Sequence, residues 1–112
     1  MADVRIPEIR TARDRLGLSR ESMSRVLDVS TRTVERWEAR GSASESPDTQ
    51  RRVATVFEIA ELAREVYGDN VAGFMSTPRR SLAMQTPREA LMRGNLDGVR
   101  QVLIDALEGH WA

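Results

Sequence analysis

Arg32 and Arg36 stand four residues apart in the segment TRTVERWEAR, whose apolar spacing is helical. Two guanidinium groups one turn apart project from the same face of a helix. Each is a rigid fork of N–H donors that matches the paired acceptors of a guanine edge or the oxygens of a phosphate. Thr31, Thr33 and Glu35 share the outward side, so the group has the chemistry to position a helix on a nucleic-acid backbone and to contact base edges. Val34 and Trp37 are three apart and face inward.

Such a helix needs a partner to hold its angle, and the preceding residues supply one. Residues 16–41 read LGLSRESMSRVLDVSTRTVERWEARG. Ser19 and Ser30 each precede a helical run and can accept a hydrogen bond from an unpaired N–H of the first turn. Met23, Val26 and Leu27 form one face of the first run. Ser24 is small where the two helices cross. Leu27-Asp28-Val29 allows only a sharp bend, with Val29 as a plug and Asp28 where glycine is usual. Asp tolerates a left-handed backbone better than most residues. Gly41 is placed as the C′ residue. This is the layout of a helix-turn-helix, whose second helix can enter the DNA major groove. A purely structural helical hairpin has the same spacing, and both readings stand at this level.

Composition narrows the class. The chain has 112 residues, no cysteine and a formal net charge of zero. Disulfide frameworks and thiolate metal sites are excluded. No run resembles a signal peptide or a membrane span, so a cytoplasmic protein is expected. All basic residues are arginine; residues 1–40 carry a net +2 and residues 41–112 a net −2. This is no basic cloak for unspecific nucleic-acid binding, and a dimer or larger assembly would help DNA affinity. Strand signals are nearly absent, and the fold class is all-α. Intrinsic catalysis is not expected. His110 is the one histidine, the glycines form no phosphate-cradling loop, and Glu58, Glu61 and Glu65 read as a solvated helix face. No cofactor and no metal are expected.

Along the chain, Pro7–Leu16 reads as a first helix with Ile9, Ala12 and Leu16 inward, stopped by Gly17. Residues 42–48 form a polar loop and a lobe boundary, with Asp48 as the expected cap of a long helix over 49–67. That helix carries Val53, Val56, Phe57, Ile59, Ala60, Leu62, Ala63, Val66 and Tyr67. So broad a stripe predicts burial on two sides: one on the helix-turn-helix, the other on a second subunit or the C-terminal lobe. Gly68 ends it. A short helix over 71–75 is anchored by Phe74 and broken at Pro78, and Leu82 follows in a loop or single turn. Thr86-Pro87-Arg88-Glu89 is a capping-box start. Residues 96–108 form a last helix with Leu96, Val99, Val102, Leu103, Ala106 and Leu107 on one face. Gly109 closes it before the tail His110-Trp111-Ala112. Three regions result: 1–41, 42–68 and 69–112.

The segment FMSTPRRSLAMQTPREALMRGNLDGVRQVLIDALEGHW resembles the toxin-binding domain of the Xre/MbcA/ParS-like antitoxins. The resemblance lies in Phe74, Pro78, Leu82, Thr86-Pro87, Gly94, the apolar helix through Leu107, and Gly109 with Trp111. The preceding helix-turn-helix is Xre-like in placement, so the two motifs cover most of the chain. It departs from the family in Leu-Ala-Met after Pro78, where many members carry a glycine before Thr-Pro. The turn over 94–98 is also short.

The resemblance implies an N-terminal helix-turn-helix bundle followed by a small helical toxin-binding lobe. It implies an antitoxin that binds and blocks a RES-domain, NAD-degrading toxin encoded by an adjacent gene. It also implies repression of its own promoter through two DNA half-sites, as a homodimer or as a hetero-oligomer with the toxin. The alternative is a stand-alone Xre-type regulator whose C-terminal lobe dimerises or binds an effector. Arginines and aromatics are the usual interface hot spots, so Arg79, Arg80, Arg88, Arg93 and Trp111 are the exposed toxin-binding candidates. Leu103, Leu107, Gly109 and His110 join them if the final helix and tail cover the toxin's substrate cleft. In the other arrangement Trp111 folds back on Phe74.

Overall fold

Pro7 at the start and Gly17 past the end bound the first helix, because proline has no N–H to leave unpaired and glycine turns easily left-handed. In the computed structural model, which describes residues 4–5, 7–40, 42–43 and 46–109, this helix is α1, Pro7–Leu16, and Gly17 takes φ +67°. Ile9, Ala12 and Leu16 are buried along one side. The second helix, α2, spans Arg20–Leu27, and α3 spans Thr31–Arg40.

Two short strands lie outside the all-helical expectation. β1, Val4–Arg5, pairs antiparallel with β2, Ser42–Ala43, Val4 opposite Ala43 and Arg5 opposite Ser42. The pair ties the chain before α1 to the chain after α3. Two residues are too few to display an alternating pattern, so no sequence period could announce it.

The long helix, α4, is Pro47–Tyr67, and it starts two residues earlier than expected. Ser46, not Asp48, is the cap: its Oγ accepts from the Thr49 N–H at 3.2 Å, and Pro47 opens the first turn. Asp48 instead lies within that turn, where its carboxylate accepts from Arg51 and Arg52, each at 3.3 Å. Val53, Val56, Ile59, Ala60 and Ala63 are buried, with Phe57, Leu62 and Tyr67 half-buried against them.

After a 3-10 turn over Gly68–Asn70 come α5, Val71–Met75, and a second 3-10 turn, Arg80–Leu82. Then follow α6, Pro87–Met92, and α7, Leu96–Leu107, capped by Asn95. α4 packs mainly on α7 and on α1. The second side of the apolar stripe is therefore covered by the chain's own last helix. One cluster of buried side chains runs from Ile9 through Trp37, Ile59 and Phe74 to Leu103. α4 is shared by the two ends of the chain, and that sharing sets where their outer surfaces point.

Candidate nucleic-acid and partner interfaces

The α2–α3 angle rests on local hydrogen bonds. Ser19 Oγ accepts from Ser22 N–H at 3.0 Å, and Ser30 Oγ accepts from Thr33 N–H at 3.1 Å. Asp28 adopts φ 56° and ψ 47°, the left-handed conformation its place in the turn requires. Ser24 is buried, donates to the Glu21 carbonyl at 2.6 Å and lies 3.3 Å from Thr31 Oγ1. Thr33 Oγ1 lies 2.9 Å from Ser30 Oγ. Both threonines are half-buried and engaged in positioning α3, whereas Arg32, Glu35 and Arg36 are exposed. Val34 and Trp37 are in the core, and the Trp37 indole N–H has no acceptor.

Glu38 belongs to no motif in the sequence. Its side chain is only 5% exposed, yet it carries a carboxylate between two arginines. Arg13 donates to it twice, at 2.9 and 3.2 Å, and Arg20 once, at 3.0 Å. Arg13 also donates to the Leu18 carbonyl at 3.3 Å. One residue of α3 thus grips α1 and α2 together. Burial pushes the Glu38 carboxyl up, but the hydrogen bonds and charges of Arg13 and Arg20 outweigh it, so its pKa lies below the usual glutamate value. The available signal was spacing: Glu38 follows Val34 by four and Trp37 by one, on the inward face. An acid there requires a partner.

The C-terminal candidates separate into engaged and exposed groups. Arg79 is half-buried rather than exposed. Its guanidinium sits 5.0 Å from the Phe74 ring centroid and 5.9 Å from that of Tyr67, two rings stacked at 4.8 Å. Its Nη2 donates to the Tyr67 hydroxyl at 3.1 Å, while its buried Nε has no acceptor. Arg88 donates to the Gly17 carbonyl at 2.7 Å, bridging α6 to the α1–α2 turn across 71 residues of sequence. Arg80 and Arg93 are exposed.

Leu103, one of the toxin-contact candidates, is fully buried, because α7 turns it into the core. Leu107, expected on the same inner face, is 50% exposed, although Ala106 beside it is buried. Gly109 is exposed at φ +83°. His110, Trp111 and the Gly41 cap lie outside the described residues.

α6 begins with the expected capping box. Thr86 Oγ1 accepts from Glu89 N–H at 3.1 Å, and Glu89 Oε1 accepts from Thr86 N–H at 2.9 Å. That backbone hydrogen bond, with the Thr86 hydroxyl, holds the Glu89 pKa below its usual value.

Among the described residues, no group of three or more His, Asp or Glu could hold a metal ion, and no helix is long and apolar enough to cross a membrane. An open groove of about 320 Å³ lies between α1 and α4, with Ala12, Phe57 and Ala60 along it and an Arg15–Glu61 ion pair at 3.3 Å. A polar groove of about 220 Å³ lies between the start of α4 and the α6–α7 turn, lined by Asp48, Arg51, Arg52 and Asp97 among others. Neither is lined by a histidine.

The described residues form a small, mainly helical protein with a charged face on α3 and exposed apolar and arginine side chains in its C-terminal region. No protein-family profile matches the chain. It is 30% identical over 94 residues to the mycobacterial cidal antitoxin MbcA of Mycobacterium tuberculosis (strain ATCC 25618 / H37Rv), covering 84% of this chain and 82% of that protein. The same figures hold for MbcA of Mycobacterium bovis. A chain in the crystal structure of the M. tuberculosis MbcT–MbcA toxin–antitoxin complex superposes with a TM-score of 0.70 at 26% identity, covering 96% of each chain. The chain belongs to the MbcA antitoxin family. It is an antitoxin of a toxin–antitoxin system and not an enzyme.

Proposed function

We propose that this antitoxin neutralises a RES-domain, NAD-degrading toxin encoded by an adjacent gene, and represses their shared promoter through α3. The observation that carries the first part is the match, over 96% of each, to a chain of a toxin–antitoxin complex. It spans nearly all of the chain, so it reaches into the region from Phe74 that resembles a toxin-binding domain. Specific interfaces bury about 1,600 Å² in total, so the toxin must cover several of these elements at once. Arg80, Arg93, Leu107 and Gly109 supply the exposed contacts. Arg88 contributes when it exchanges the Gly17 carbonyl for a toxin carboxylate. Arg79 acts as a positioning residue for the 79–85 turn. The tail with His110 and Trp111 covers the toxin's substrate cleft.

The second part rests on α3. Arg32 and Arg36 contact base edges or phosphates, Glu35 borders them, and Thr31 and Thr33 hold the helix at its angle. The helix-turn-helix works in the cytoplasm as a homodimer or within a toxin–antitoxin assembly. Its operator has two half-sites, because a two-fold protein reads a two-fold site.

The test is co-expression with the product of the adjacent reading frame, with growth and cellular NAD as readouts. The neighbour alone should arrest growth and deplete NAD, and this protein should restore both. A harmless neighbour, or toxicity that persists, would leave a stand-alone Xre-type regulator as the better reading. Truncation after Glu108 then locates the tail: lost toxin binding at an unchanged melting temperature places it on the toxin.

A further inference from the structure

Leu82 to Gln85 form a tight turn in an unfavourable conformation. Gln85 N–H donates to the Leu82 carbonyl at 3.0 Å, and the two central residues, Ala83 and Met84, take φ of 55° and 65°. This is the primed turn that favours glycine and asparagine, since a Cβ is strained there. Glycine at position 84 would relieve the strain, yet the residue present is methionine, 62% exposed.

The turn is held closed from every side. Arg79 N–H donates to the Gln85 carbonyl at 3.1 Å, Met84 N–H to the Arg79 carbonyl at 2.8 Å, and Ala83 N–H to the Arg80 carbonyl at 3.0 Å. Leu82 is buried beneath it, and Arg79 is fastened to the Tyr67–Phe74 stack. The capping box of Thr86 and Glu89 fixes the exit. Such strain persists only where the surroundings over-determine it, and it concentrates at functional sites.

Met84 and Leu107 are the exposed large apolar side chains among the described residues, and both lie in the C-terminal region. Two exposed arginines are tied to this segment. Arg80 belongs to the same turn. Arg93 lies 3.2 Å from the Gln85 amide oxygen once that amide is oriented to suit its neighbours.

We propose that the 83–84 turn is a preformed apolar knob that docks in a toxin pocket rimmed by carboxylates, with Met84 as its anchor. The proposal rests on the toxin-binding reading above and adds a contact to it. A methionine adapts to an irregular pocket, and a rigid turn loses little entropy on docking. A second copy of this chain is the poorer occupant. A two-fold contact centred on the knob would face Arg80 and Arg93 with their own counterparts.

The test compares the wild-type protein with Met84→Gly and Met84→Leu. The readouts are calorimetric binding to the purified product of the adjacent reading frame, melting temperature and oligomeric state. Met84→Gly should weaken binding about thirtyfold or more, the scale of a hot spot, while its melting temperature stays level or rises. Met84→Leu should retain most of the affinity. Unchanged affinity in Met84→Gly, with the wild type binding normally, overturns the knob alone. A changed oligomeric state in the protein by itself assigns the turn to a second copy and also overturns it. A wild type that does not bind the neighbour removes the toxin reading, and the knob with it.

Discussion

On α3, Arg32, Glu35 and Arg36 stand exposed with no large apolar side chain exposed among them; on the 79–85 turn, Arg80 and Met84 are exposed, and Arg93 at the end of α6 reaches Gln85. Behind each surface lies a second set of arginines in fixed positions. In the N-terminal part, Arg13 and Arg20 are gripped by the Glu38 carboxylate. In the C-terminal part, Arg79 lies on two aromatic rings and Arg88 on a backbone carbonyl. The same residue type therefore does two kinds of work at both ends. The difference lies in what surrounds the exposed members. A wholly polar, charged face suits a polyanion, whose affinity is dominated by phosphate contacts. Apolar and arginine side chains mixed in one patch suit the core of a protein interface.

The largest effects should come from breaking the shared core. Trp37→Ala and Leu103→Ala should each destabilise by about 3–5 kcal/mol and about 2–5 kcal/mol respectively. Because one cluster links them, both variants should unfold in a single denaturant transition. Two separate transitions would show that the two ends are independent units.

Glu38→Gln should cost about 2 kcal/mol, the scale of losing charged hydrogen bonds to the largely buried Arg13, and should weaken operator DNA binding while sparing toxin binding. The acid dependence follows from the same group. Its folded pKa is depressed, so its stabilisation is present above the ordinary glutamate value and is lost as pH falls through the lower folded value. Unfolding followed by circular dichroism should show that loss in the wild type and not in Glu38→Gln.

Arg32→Ala and Arg36→Ala should lower operator affinity, by about 1–3 kcal/mol for the one that contacts a guanine. Each should leave toxin affinity unchanged, and a phosphate-contacting arginine should flatten the salt dependence when removed. Titrations of both partners at two salt concentrations would sharpen the contrast between the surfaces. Equal losses toward DNA and toxin would erase it. The smallest effect concerns the α6 cap: Thr86→Ala should cost about 1 kcal/mol in thermal unfolding, with little change in either affinity.

Much of the framework was determined by the sequence itself, because its signals act over four residues or fewer. Ser19, Ser30 and the Thr86–Glu89 box cap the helices foreseen for them, Asp28 turns left-handed, and Ile9, Met23, Val34, Trp37 and Phe74 point inward. Caps and apolar periods are written locally and can be read locally. Where a local rule has two solutions, the local pattern does not choose between them: Asp48 is the cap expected for α4, and Ser46 with Pro47 takes that place. The structure alone decided what depends on distant partners. Arg13 and Glu38 meet across 25 residues, and Arg88 and Gly17 across 71. α7 rather than a second subunit covers the far side of α4, Leu103 is withdrawn from the surface, and Arg79 is laid on two rings. Chain topology brings those groups together, and no pattern of neighbouring residues encodes a contact between segments so far apart.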